Sequence, residues 1–393
     1  MNDVAENPAV PVFRRTLQIA LIVGIVGLIL TALGLILSPN DFFRAYLMAY
    51  VWAFSIAQGC LFLGLVHNVV GGWWGYAIRR FLEAGMGVLP LLAVLFLPIL
   101  LGLGSLYPWT QADVVQSNPL LQHKQVYLNV PFFIARAVVF WAIWLALAYF
   151  LRKWSMDRDR TGSPVYSRRM TRLGAVGVIL WALTCTFAYY DWVMSTDPIW
   201  FSSIYGATLG IPGVLAALSL IVFLISRVIR FAPLDDALPP KAVNDLGNLM
   251  LGFTIISMYL AFSQFLIIWS ANLTEEVIWY IHRWDGGWQW VALYLAIFHF
   301  MLPLAVLVSR HVKRDIGLLA IVAANFIWLR VVDLWWQIQP NFSPNALSLS
   351  WVHIVAPIGI GGVWLALYLW QLGRRPLLPL YLPPKPERYH GPV

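Results

Sequence analysis

Ten apolar runs, each about 20 residues or longer, dominate this chain of 393 residues. A helix needs about 20 apolar residues to cross the hydrocarbon core of a bilayer, so each run predicts one membrane-spanning helix. The runs occupy residues 16–37, 44–70, 81–104, 131–151, 172–191, 204–229, 247–270, 288–309, 315–338 and 350–372. The sequence therefore predicts an all-α integral membrane protein. Its single ten-helix domain, 16–372, lies between an N-terminal segment, 1–15, and a Pro-rich tail, 373–393.

The share of charged residues supports this prediction. Charged residues make up 11% of the chain, whereas soluble domains contain about 25%. Too few charges are present to cover a water-soluble surface, so lipid must solvate much of the molecule.

Arginine and lysine are distributed unequally between the predicted connections. By our assignment, 21 of the 26 fall on one side of the membrane and 3 on the other, with Arg136 and Arg330 inside spans. Positive residues remain on the cytoplasmic side, so both termini are expected there, in a bacterial inner membrane. The pI near 9.5 then reflects topology, and a nucleic-acid partner is not expected.

The start of the chain has a second interpretation. Arg14 and Arg15 precede an apolar run, as in a signal peptide. The run at 16–37 contains 22 residues, whereas a signal peptide has an apolar region of about 7–15. We therefore predict a retained first helix.

Cysteine gives no indication of a redox metal. Cys60 and Cys185 both lie inside apolar runs, and no Cys-x-x-Cys pair occurs. This pattern argues against an iron–sulfur cluster, a c-type haem or a structural zinc site, so no metal is expected on this chain.

Ionisable residues inside the spans are the main candidates for function. Each costs about 2.5–3.5 kcal/mol on insertion and therefore needs a partner or a use. They are His67, Glu83, Arg136, Asp191, His299, Arg330, Asp333 and His353.

Arg330 and Asp333 lie three residues apart on the ninth span, with Gln337 on the same face. They could form a neutral pair that joins this helix to its neighbours. They could equally form a proton or quinone-headgroup site, because intramembrane pairs serve both purposes.

Two histidines each precede a proline by four residues. Pro303 cannot donate to the carbonyl of His299, and Pro357 cannot donate to that of His353. A structural, hydrogen-bonded histidine is favoured at both positions, more strongly at His353. A proton relay is the alternative, because histidine titrates near neutral pH. The third intramembrane histidine, His67, lies at another depth, which disfavours a bis-histidine haem.

The connection between the second and third spans is flanked by His67, Arg79, Arg80 and Glu83. Glu83 could pair with Arg79, four residues away on one helix. It could also form the entrance of a half-channel.

Acidic and aromatic residues collect on the other side of the membrane, where a docking surface or a proton exit is expected. They are Asp191, Trp192, Asp197, Glu275 and Glu276.

Five stretches of sequence resemble one known family. They are Leu65–Asn68 with Gly71–Trp73 and Ile78–Ala84; Asp191–Ser195; Phe262–Ser270 with Asn272, Glu275 and Glu276; Phe298–Phe300 with Pro303, Ser309, Arg310, Lys313 and Arg314; and Arg330–Trp335. In this order they resemble the second NrfD-like (polysulfide-reductase-like) membrane subunit of bacterial alternative complex III, the ActF type. The resemblance covers residues 40–340.

The resemblance implies a subunit of a quinol:electron-acceptor oxidoreductase. It implies two four-helix bundles, approximately 44–191 and 204–338, flanked by the first and last helices. The implied partners are a multihaem cytochrome, an iron–sulfur subunit, an NrfD-like paralogue and lipids. Such a subunit carries no redox centre of its own and is a candidate for proton conduction. Asn68 departs from the pattern, because a second histidine is expected beside His67.

Two sets of site residues follow from this hypothesis. The expected proton pathway comprises His67, Glu83, Asp191, His299, Arg330 and Asp333. A menaquinone site would use Arg136, Arg330, Asp333 and Gln337. The alternatives are a secondary transporter and a purely structural membrane anchor.

Overall fold

A computed structural model describes residues 9–344 and 346–381. In this described part of the chain, ten helices are long and apolar enough to cross a membrane, which confirms the predicted all-α membrane fold. We number them α1 to α10: Val10–Leu37, Pro39–Val70, Arg79–Leu101, Val130–Thr161, Pro164–Thr196, Tyr205–Val228, Pro240–Ala271, Trp288–Val308, Ile316–Asn341 and Val352–Gly373. The first eight residues and the Pro-rich residues 382–393 of the expected tail lie outside the described residues.

Helix α3 contains interruptions, and other spans extend beyond the apolar runs. Helix α3 has breaks before Leu89 and Leu97, each followed by a proline at the start of the next helical segment. Helix α4 continues ten residues past the apolar run that ends at residue 151, and α5 begins eight residues before its run. Hydropathy marks where the bilayer ends, whereas a helix can continue into water.

Short helices fill most of the longer connections. They span Trp73–Ala77, Leu103–Leu106, Pro108–Thr110, Ala112–Ser117, Pro119–Lys124, Leu234–Ala237, Thr274–Ile281 and Arg310–Arg314.

The spans form two packed groups of four. Helix α2 packs on α3 and α5, and α4 packs on α3 and α5; we call α2–α5 the first bundle. Helix α6 packs on α7 and α9, and α8 contacts both of these; we call α6–α9 the second bundle. Helices α2 and α6 pack against each other and join the two bundles. We call the side at which α1 begins the basic face, and the other side the opposite face.

Helices α1 and α10 pack against each other along their length, and α10 also packs on α2. Glycines make this close approach possible. A Cβ atom added at Gly24 would come within 2.5 Å of the Val363 nitrogen, and one at Gly27 within 2.7 Å of the Gly359 Cα. Small residues that allow backbones to approach are typical of helix pairs in membranes.

Candidate functional site

A cavity of about 370 Å³ lies inside the second bundle, in the half nearer the opposite face. All four helices of the bundle and the connection between α7 and α8 line it. The polar side chains at its wall are Thr208, Ser257, Gln264, Tyr280, Arg283, His299, Asp333 and Gln337. Aromatic rings form much of the remaining surface, among them Trp279, Trp336 and Phe300. The cavity thus contains polar groups inside an apolar bundle. Two of them, His299 and Asp333, are among the intramembrane ionisable residues predicted from the sequence.

A π-helical turn, Ala296–Met301, carries His299. The Leu302 amide donates to the Ile297 carbonyl, five residues back. In this register the missing amide of Pro303 leaves the carbonyl of Phe298 without its helical donor. The side-chain amide of Asn325 on α9 donates to that carbonyl at 2.9 Å. The sequence predicted that Pro303 would leave the His299 carbonyl without a donor. In the π-helical register it is instead the carbonyl of Phe298, one residue earlier, that lacks its backbone donor. π-turns are often found at functional sites.

The imidazole of His299 is buried, with 2% of the residue exposed. Its ring stacks on Phe300 at 4.9 Å between centroids and lies 5.8 Å from the ring of Phe326. Its Nδ1 atom has no hydrogen-bond partner although it is buried. Most buried polar atoms have a partner, so this nitrogen is available to a water molecule or a ligand in the cavity.

The Asn325 side chain should stabilise this turn. Replacing Asn325 with leucine leaves the Phe298 carbonyl unsatisfied, and the expected loss is about 1–3 kcal/mol of unfolding free energy. Denaturant-induced unfolding in detergent measures the loss. Asn325→Gln keeps an amide donor and should lose less. Equal stability of Asn325→Leu and the parent chain would show that the bond to Phe298 is dispensable.

The predicted ion pair lies at the same cavity, and Asp333 is its member that lines the wall. Arg330 pairs with Asp333 and also donates to the Leu209 carbonyl of α6 at 2.6 Å. Gln337 donates to Asp333 at 3.5 Å and accepts from the Tyr205 hydroxyl at 3.3 Å. The pair thus joins α9 to α6, as one interpretation of the sequence predicts. Asp333 and Gln337 also line the cavity, so the other interpretation remains open.

Arg283 is not among the site residues predicted from the sequence, because it lies in the connection between α7 and α8. This guanidinium is buried over the Trp279 ring at 3.4 Å. It donates to the Trp279 and Gln337 carbonyls at 2.8 and 2.7 Å, and to Asn341 Oδ1 at 2.7 Å. Burial lowers the pKa of Arg283 to about 9, so it stays charged at neutral pH. It therefore adds a buried positive charge to the wall of the cavity.

Arg136 and Asp191 lie elsewhere, in the first bundle near the opposite face. They form a two-bond ion pair, with the Arg136 Nε and Nη2 atoms at 2.8 and 2.9 Å from the Asp191 carboxylate. The Tyr127 ring lies 3.8 Å from the guanidinium. Arg136 is thus bound by a carboxylate and does not line the cavity of the second bundle. Its expected quinone role stays a prediction.

The expected docking residues divide into two groups. Asp191 and Trp192 are buried within the chain and present no surface to a partner. We therefore correct the docking expectation for these two residues. Glu275 is exposed, and Asp197 and Glu276 are partly exposed, so the expectation can apply only to these three.

A second charged cluster lies at the basic face of the first bundle. Glu83 accepts from Arg79 at 3.2 Å, as the i,i+4 spacing predicts, and from Arg80 at 2.6 Å. Arg375, just after α10, also contacts Glu83 at 2.9 Å. His67 lies beside this cluster, with its Nε2 atom 3.2 Å from the Gly72 carbonyl oxygen. A void of about 10 Å³ between His67 and Glu83 has room for about one water molecule.

His353 has partners for both ring nitrogens. The Ser350 amide donates to Nδ1 at 3.2 Å, so Nε2 carries the hydrogen and donates to Gln339 Oε1 at 3.1 Å. This arrangement supports the structural interpretation of His353.

Within residues 9–344 and 346–381, no three histidine, cysteine or acidic side chains come together as a metal site would require. Cys60 and Cys185 are buried thiols that form no disulfide. No protein-family model matches the chain, and no curated protein matches it.

Proposed function

We propose that this chain is a membrane subunit of a quinol:electron-acceptor oxidoreductase, and that the cavity of the second bundle exchanges protons. The observation that carries the proposal is the convergence of His299 and Asp333 on one cavity inside the bundle. Ionisable groups are costly inside a membrane and often mark proton relays. Histidine is suited to a relay because its unperturbed pKa lies near neutral.

The surroundings of the two groups support proton transfer. A cavity of about 370 Å³ can hold on the order of ten water molecules at about 30 Å³ each. Hydrogen bonds link the Tyr205 hydroxyl through Gln337 to Asp333. The chain's part in catalysis is then to hold and pass protons between these groups, with Arg330 keeping Asp333 oriented.

The other proposed elements follow the family resemblance. His67 and Glu83 form the proton entrance at the basic face, which is the cytoplasmic face in this proposal. Electron transfer belongs to partner subunits: a multihaem cytochrome, an iron–sulfur subunit and an NrfD-like paralogue. Glu275 and Glu276 supply exposed negative charge for docking on the opposite face.

Substitution of Asp333 in the assembled complex tests this proposal. Asp333→Asn should reduce proton translocation per electron by at least about ten-fold, as is typical when a positioned proton-transfer group is removed. Proton release by the complex in proteoliposomes, measured against electrons transferred, gives the ratio. His299→Phe provides a second variant that leaves the Arg330 ion pair unchanged.

Asp113→Asn is the matched control, because it removes an exposed acid near the same face to which the proposal gives no role. An unchanged ratio in both Asp333→Asn and His299→Phe would refute proton exchange through the cavity. Loss of assembly alone, with normal turnover in the complexes that do form, would favour the purely structural anchor.

A menaquinone headgroup is a second candidate occupant of the same cavity. The Ser257 hydroxyl and His299 Nδ1 are both buried, both at the cavity wall and both without a hydrogen-bond partner. The Trp279 and Trp336 rings offer flat apolar surface. Quinone that copurifies with the isolated chain, and is lost from a Ser257→Leu variant, would distinguish this occupant from water.

A further inference from the structure

The charged cluster at the basic face contains more positive than negative charge. Its arginines come from α3, α4 and the segment after α10, and they are Arg79, Arg80, Arg152, Arg158 and Arg375. Its two acids are Glu83 and Asp159. Glu83 contacts Arg79, Arg80 and Arg375, and Asp159 pairs with Arg80. Arg152 lies near Arg375 and Glu83, and Arg158 lies near Arg79. Two carboxylates thus face five guanidinium groups.

Within the described part of the chain, the other side chains that accept hydrogen bonds from Arg79 and Arg152 add no negative charge. Gln371 accepts from Arg152, and Ser155 accepts from Arg79, but both partners are neutral. Residues 382–393 contain one acid, Glu387, and two cations, Lys385 and Arg388. Even with that segment counted, the positive charge remains in excess.

Hydrogen-bond donors in the cluster are also incompletely used. The Nε atoms of Arg80, Arg152 and Arg158 are buried without a hydrogen-bond partner. Arg80 is 2% exposed, so bulk water cannot easily serve its donor. An uncompensated buried charge costs several kcal/mol, so an anion at this position would stabilise the fold.

The depth of the cluster indicates where such an anion comes from. Arg152 follows directly after the apolar run at 131–151, and Arg79 begins α3 at the same face. Arg158 lies over the rings of Tyr76 and Tyr381, at 6.0 and 5.2 Å from their centroids. Tyrosines and arginines at helix ends are typical of the headgroup layer of a bilayer. Arg152 and Arg158 are half-buried and can therefore be reached from that layer.

We propose that this arginine cluster binds the phosphate of an anionic phospholipid headgroup in the leaflet at the basic face. Guanidinium groups bind phosphate oxygens through paired, charge-assisted hydrogen bonds. Basic pockets between membrane helices bind acidic headgroups by the same chemistry. Inorganic phosphate shares this chemistry, but the position at the membrane boundary favours the lipid. The cluster includes Glu83 of the proposed proton entrance, but lipid binding follows from the excess positive charge and is tested without any measurement of proton transfer.

Thermal unfolding of the full chain in a neutral detergent tests the proposal. Phosphatidylglycerol should raise the unfolding midpoint after delipidation, whereas phosphatidylcholine and inorganic phosphate at equal phosphate concentration should not. Arg152→Gln should weaken phosphatidylglycerol binding about five-fold, because one arginine at an anionic surface contributes about that factor. Arg158→Gln should weaken phosphatidylglycerol binding by a similar factor. This variant replaces Arg152→Gln in the test if Arg152→Gln fails to fold.

Arg168→Gln is the matched control, since Arg168 is an exposed cation on the same face outside the cluster. This variant should bind phosphatidylglycerol like the parent chain. Equal stabilisation by phosphatidylcholine would assign the effect to acyl chains and overturn the proposal. Equal stabilisation by inorganic phosphate would show that the anion need not come from a lipid. An equal loss of phosphatidylglycerol binding in Arg168→Gln would show that general surface charge causes the effect. Either result would overturn the proposal.

Discussion

Replacing Asp191 with asparagine should destabilise the folded chain by about 3–5 kcal/mol, because it leaves the buried Arg136 guanidinium without its counter-charge. The two carboxylate oxygens each accept one hydrogen bond from Arg136, at 2.8 and 2.9 Å. In asparagine an NH2 group replaces one of these oxygens, and it cannot accept, so that bond is lost. Helices α4 and α5 would then be held together mainly by apolar packing at this end. Unfolding by a denaturing detergent in mixed micelles gives the free-energy difference.

Two further variants show whether the loss comes from the ion pair. Asp113→Asn removes an exposed acid near the same face and should change stability by less than about 0.5 kcal/mol. The double variant Arg136→Met with Asp191→Leu removes both charges and should recover much of the loss, because an apolar pair can replace a buried ion pair. If the double variant is no more stable than Asp191→Asn alone, uncompensated charge is not the cause.

Replacing Gly27 with leucine should separate α1 from α10. Even a single Cβ at this position comes within 2.7 Å of the Gly359 backbone, which cannot move aside as a side chain can. Overpacking a close contact costs about 1–3 kcal/mol and sometimes more, and the lost contacts between the helices add to it. Unfolding of the full chain by a denaturing detergent in mixed micelles measures the loss.

Gly252→Leu is the control for this substitution. Gly252 lies inside α7, and a Cβ there meets no atom within 4 Å. The same change should therefore be tolerated, and the higher helix propensity of leucine can make it slightly favourable. Equal unfolding free energies of the Gly27→Leu and Gly252→Leu variants would contradict the close approach of α1 and α10.

The membrane fold could be predicted from the sequence because lipid imposes a simple rule. A spanning helix must satisfy its backbone internally and present apolar side chains, so ten runs gave ten helices. The extension of α4 to Thr161 was not predicted, because residues beyond the bilayer follow helix propensity and no longer need to be apolar. The π-turn at His299 was missed because α-helical spacing was assumed around Pro303.

The site was only partly predictable, because sequence identifies costly residues more readily than their partners. Asp333 and Gln337 were recognised, since they lie one turn apart on a single helix. Arg283 was missed, because only the tertiary fold shows that its connection folds back over the second bundle. The pairing of Arg136 with Asp191 could have been inferred. One lies near the start of α4 and the other near the end of the antiparallel α5, so both lie at the same depth.

The pairing of α1 with α10 has a consequence for the biogenesis of the protein. About 300 residues separate the end of α1 from the start of α10. At about 5–20 residues per second, the ribosome adds α10 about 15–60 s after α1 is complete. During that interval the glycine surface of α1 has no partner from its own chain and must be tolerated by lipid. Packing of α10 against α1 is therefore a late step of folding. A chain that ends before α10 would leave the glycine surface of α1 exposed to lipid, where membrane quality control could recognise it.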